Sequence, residues 1–116
     1  MVHKLPYDKV IKYVTQGFER YIRDDGLTVS QANSRIIVEF EIQTDEFEDV
    51  EWTLYLLLAK LGFENGELRN DVRNRAMEII NSNGLVSFWK VEGVNRKELE
   101  ERERFIKHIK NVLTEL

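Results

Sequence analysis

Seven carboxylates fall between Arg35 and Lys60 with no lysine or arginine among them: Glu39, Glu41, Asp45, Glu46, Glu48, Asp49 and Glu51, interleaved with Phe40, Phe47 and Trp52. Clustered carboxylates suit three kinds of work. A close pair can divide general-acid and general-base roles, a set of oxygens can hold a hard cation, and an unneutralised field can steer a basic partner onto a surface. For the first two, the best-placed pair is Glu39 and Glu41, which on an extended strand share a face about 7 Å apart. Neither chemistry has its accessory residues. The run contains no Asp-x-Asp-x-Asp-Gly calcium spacing, no nearby His or Lys, and no substrate-positioning glycines.

Docking uses the whole run. Taking these seven from the 21 acids leaves 14 against 17 bases, so the net charge of −4 originates in one short segment. A solvated sheet face leading into an acidic helix start accounts for part of it, because acids in a first helical turn interact favourably with the helix dipole. That plain reading leaves the repulsion uncompensated, at a few tenths of a kcal/mol per close like-charged pair. It also leaves residues 45–48 without a local explanation. A basic protein surface would offset the repulsion, with Phe47 or Trp52 as the apolar anchor.

The elements that must carry these residues follow from periodicity. Val10, Ile11, Val14, Phe18, Tyr21 and Ile22 recur every three or four residues and predict an amphipathic helix over 7–23, closed by Asp24, Asp25 and Gly26. Residues 27–34 read as a short strand turning into a hairpin, or as a structured loop. Strict alternation of Ile36, Val38, Phe40 and Ile42 with polar neighbours predicts a strand over 35–43 that carries Glu39 and Glu41 on its solvent face. An acidic connection follows. Asp49 is then placed to cap a helix through Gly62 whose apolar residues run nearly all round, which suits a central position. A strand over 50–56 fits the same residues, but Ala59-Lys60-Leu61-Gly62 resembles a helix end.

Leu68, Val72, Ala76, Ile79 and Ile80 line a third helix that ends at Asn83-Gly84. The aromatic and β-branched stretch 85–91 reads as a second strand broken by Gly93, with Phe88 and Trp89 facing opposite ways. Asn95 and Glu98 form a capping pair for a last helix through Thr114. The predicted architecture is one α+β domain over residues 1–116, a small antiparallel or mixed sheet of two to four strands packed by about four helices.

Composition narrows the function classes. A single domain of 116 residues, 42% hydrophobic and 33% charged, can bury one core, and the absence of cysteine removes disulfides, thiolate metal sites and thiol nucleophiles. His3 and His108 stand apart from any acid at ligand spacing, and there is no phosphate loop, dinucleotide fingerprint or nucleophile elbow. The longest apolar run, residues 54–59, is far below the ~20 of a membrane span. The expectation is a cytoplasmic protein that is not an enzyme and needs no cofactor or metal. It would engage a basic protein through Glu39, Glu41, Asp45, Glu46, Phe47, Glu48, Asp49, Glu51 and Trp52, as an inhibitor or toxin-immunity protein occluding a toxin or nuclease. Two alternatives stand beside it. A winged helix-turn-helix regulator would read DNA with Arg69, Asn70, Arg73 and Asn74, though the acidic balance disfavours nucleic acid. A structural subunit would homodimerise along the final helix.

Overall fold

The computed structural model describes residues 2–115 and is all-helical, with no strand among them. Seven helices follow in order: α1 (Tyr7–Arg23), α2 (Val29–Glu39), α3 (Glu41–Glu46), α4 (Glu48–Glu64), α5 (Asn70–Ser82), α6 (Gly84–Glu92) and α7 (Arg96–Thr114). The predicted α+β architecture is therefore overturned. Both expected strands are helices, and the hairpin of residues 27–34 is a helix start.

The alternation over 35–43 resolves into two helical stripes. Ile36 and Phe40, four apart, continue the inward row of Val29, Ala32 and Asn33, whereas Val38 and Ile42, also four apart, point outward and are each 67% exposed. Three consecutive β-branched residues cost this helix about 0.5 kcal/mol each relative to alanine. Burying Ile36 and Phe40 contributes roughly 1.5–3 kcal/mol each, so packing wins. A strand here would also need a ladder partner for its backbone groups, which a helix satisfies internally. The start is fixed by a capping box: Thr28 Oγ1 accepts from the Gln31 N–H at 3.1 Å, and Gln31 Oε1 accepts from the Thr28 N–H at 2.9 Å.

The same resolution applies to residues 84–92. Leu85 and Trp89, four apart, are buried, and Gly93 at φ +81° ends a helix rather than a strand. The corner between α5 and α6 is turned by Asn83 in the left-handed region. Gly84 then lets the Trp52 ring approach closely, since a Cβ there would lie 3.2 Å from it.

Around this corner the core is organised by α4. Its residues Val50, Leu54, Leu56, Leu57, Leu58, Ala59 and Leu61 are all buried, and it packs against α1, α3, α5, α6 and α7. Apolar residues all round the helix do place it centrally, as the pattern implied. The first helix has its predicted bounds, and Asn95 Oδ1 caps α7 by accepting from the Glu98 N–H at 2.9 Å. Asp49 does not cap α4: the helix starts one residue earlier, Phe47 holds the cap position, and no side chain makes a cap bond there.

Candidate partner-binding surface

The fold divides the acidic run. The Asp49 carboxylate, in the first turn of α4, is nearly buried and meets Lys4 Nζ at 2.8 Å. Lys4 reaches Glu92 at the end of α6 as well, at 3.0 Å. Burial lowers the Lys4 pKa, but hydrogen bonds to Asp49 and Glu92 outweigh it and leave the ammonium above its ordinary range. Two residues along, Glu51 accepts from Arg75 of α5 at 2.7 Å, and Arg75 also holds Glu78 at 3.0 Å. Asp49 and Glu51 thus tie the start of α4 to its neighbours.

The other five acids remain in solvent. Glu39, Glu41, Asp45, Glu46 and Glu48 are exposed and make no ion pair among the described residues. They lie on α2, α3 and the first residue of α4, the segment that also exposes Val38 and Ile42. Beside them an open cleft of about 410 Å³ is bordered by Ile37, Val38, Glu41, Thr44, Asp45 and Tyr55. The strand face that was to carry Glu39 and Glu41 as a pair does not exist, because those residues end one helix and begin another. Nor are Phe47 and Trp52 free anchors. Both are half-buried against the core, and Trp52 meets Phe88 edge-on at 6.5 Å.

Lys4 itself lines a second cavity, about 250 Å³, bordered also by Asp49, Thr53, Tyr7, Trp89, Glu92 and Arg102. Arg102 turns inward from α7 and lies 4.1 Å from the Tyr7 ring centre and 5.2 Å from that of Trp89. Burial pushes the Tyr7 hydroxyl up to about 12, with Arg102 pulling the other way. Neither Lys4 nor Tyr7 is poised to take a proton near neutral pH, since each holds its own more tightly than usual. Among the described residues no three His, Cys, Asp or Glu side chains converge as a metal site.

The basic helix is spent on structure. Arg69 donates to both Asp71 oxygens, at 2.6 and 2.8 Å, and to the Ser30 carbonyl and Ser34 Oγ of α2. Its hydrogen bond holds the Asp71 carboxyl below the usual range. With Arg75 committed to Glu51, a DNA-facing surface on α5 keeps Arg73, Asn70 and Asn74, and the element that should be a wing is the helix α6. The winged-helix order is absent.

Sequence reasoning missed Lys4, Gln43, Glu92 and the inward turn of Arg102. Lys4 and Glu92 are 88 positions apart, beyond the reach of any periodic pattern. Val38 and Ile42 had a signal: read at helical spacing, they form a pair on the polar side. Comparison with protein-family models, curated proteins and solved structures found no match. No helix among the described residues is long and apolar enough to cross a membrane.

Proposed function

We propose that this chain is a non-catalytic, cytoplasmic binding protein that engages a basic protein partner through α2, α3 and the start of α4. The observation that supports it is the run of Glu39, Glu41, Asp45, Glu46 and Glu48, exposed and without a cation among the described residues, on the segment that also exposes Val38 and Ile42. The acids steer encounter through their long-range field, and the two aliphatic side chains supply the area that is desolvated on contact. The action is occlusion. A rigid acidic surface held by a packed bundle covers the basic cleft of a toxin or nuclease by charge and shape, in the manner of an inhibitor or immunity protein. Homodimerisation through the same face is disfavoured, since a two-fold interface would set these acids against their own copies.

The test uses the wild-type chain and the triple reversal E41K/D45K/E46K as baits for a pull-down. Basic proteins captured by the wild type, released by added salt and lost on reversal support the reading. Association rates for an identified partner should fall about tenfold or more on reversal. Equal capture by both baits would remove α3 from the interface.

A further inference from the structure

Residues 2–6 precede α1 without regular secondary structure, yet they are held as a bound peptide is held. The Gln43 side chain of α3 grips their backbone at two points: its Nε2 donates to the His3 carbonyl at 2.7 Å, and its Oε1 accepts from the Leu5 N–H at 2.9 Å. Because an N–H can only donate, the Leu5 bond fixes which way the amide faces. Residues two apart on an extended backbone turn their polar groups to one side, so a single amide stands in for a neighbouring strand. Such a grip reads backbone and is indifferent to side chains.

Selectivity enters at Lys4. Its ammonium sits between Asp49 at 2.8 Å and Glu92 at 3.0 Å, 4.8 Å from the centre of the Phe88 ring. Three elements, α3, α4 and α6, thus converge on one segment outside regular secondary structure with a lysine at its middle, while Leu5 lies half-buried on the core. An open cavity of about 250 Å³, lined by Lys4, Leu5 and Pro6 and by Asp49, Trp89 and Glu92, adjoins the segment. Glu48, exposed, adjoins Asp49 and continues the negative field outward.

We propose that this seat is a recognition site for an extended, lysine-bearing segment of another protein, and that residues 2–6 are its intramolecular occupant. The incoming segment supplies a lysine for Asp49 and Glu92, a backbone carbonyl and N–H for Gln43, and an apolar residue after the lysine. Its own occupant lowers apparent affinity by the fraction of time the seat is filled, so a partner must displace it. Charge complementarity selects a basic segment over a neutral or acidic one.

The probe is a dye-labelled peptide of residues 2–7, titrated by fluorescence anisotropy into full-length chain. Lys4→Met keeps a long aliphatic side chain while removing the ammonium that holds the resident segment, and should raise peptide affinity at least about tenfold over wild type. In the Lys4→Met background, where the resident segment is already weakened, replacing the peptide's lysine by methionine, or adding Gln43→Leu to the protein, should each cost at least about tenfold. A Lys4→Met chain that is folded by circular dichroism but shows no saturable binding would overturn the proposal. If that variant fails to fold, hydrogen exchange on the wild type carries the test: excess peptide must accelerate exchange at the Leu5 amide, and unchanged protection overturns it. Dimers seen by light scattering without peptide uptake would also overturn it, assigning the seat to exchange between copies. The reversal E41K/D45K/E46K leaves the seat intact, so this inference and the acidic-face reading fail separately.

Discussion

Asp49 and Glu51 differ from their neighbours Glu39, Glu41, Asp45, Glu46 and Glu48 in what the fold delivers to them. The first two receive Lys4 and Arg75, the latter from 24 positions away, and become ties between helices. The other five receive no cation among the described residues and stay exposed. Carboxylates of one type within one run therefore hold opposite roles. A paired, shielded acid contributes to stability and projects little long-range field, while an unpaired exposed one contributes a field and almost no stability.

That contrast is sharpest at Asp49. Asp49→Ala should destabilise the chain by about 2 kcal/mol, below the roughly 3–5 kcal/mol for breaking a fully buried pair, because Lys4 keeps Glu92 and some solvent contact. Denaturant midpoints would show it, and a loss under about 0.5 kcal/mol would place Asp49 with the exposed group.

Alkaline pH should loosen the same region. Lys4 and Tyr7 both hold their protons above ordinary values of 10.5 and 10.0, so on raising the pH the unfolded chain releases protons first. Stability should be full below about pH 10 and fall as pH rises through the folded values, by on the order of 2 kcal/mol, most of it from Tyr7. Melting curves from pH 8 to 11.5 test this, and an unchanged midpoint would contradict the burial of Tyr7. Smaller again is Glu51→Gln, expected to cost less than about 1 kcal/mol because the pair with Arg75 is partly exposed. Smallest is E41Q/D45Q/E46Q, within about 0.5 kcal/mol and leaning toward a gain as repulsion is relieved. A large loss there would show hidden pairing and erase the comparison.

Legibility varied with how many helical turns repeated one pattern. Val10, Val14, Phe18 and Tyr21 mark four successive turns of α1, and the all-round apolar α4 announced its central place. In α2 the row of Val29, Ala32 and Ile36 is interrupted by Asn33, buried there without a hydrogen-bond partner, and is followed by outward Val38. Over those few residues a period of two and a period near four predict the same apolar positions, and β-branched residues favour the wrong choice. The Thr28-x-x-Gln31 box was the sign that favoured a helix. In the short α6, Leu85 and Trp89 gave one repeat, too little to outweigh Val86, Phe88 and Val91.

For the candidate surface, charge was readable and partnership was not. The sequence alone determined that the negative charge is local, that the long amphipathic segments of α1, α5 and α7 form helices, and that Asn95 starts the last of them. Only the tertiary structure decided that residues 35–43 and 85–91 are helical, because burial of Ile36, Phe40, Leu85 and Trp89 overrides local preference once α1, α4 and α7 supply a surface to bury them on. It alone separated Asp49 and Glu51 from the five exposed acids. Composition and periodicity act over a few residues, whereas an ion pair needs two groups within 4 Å in space, and for Lys4, Asp49 and Glu92 that proximity is a product of packing.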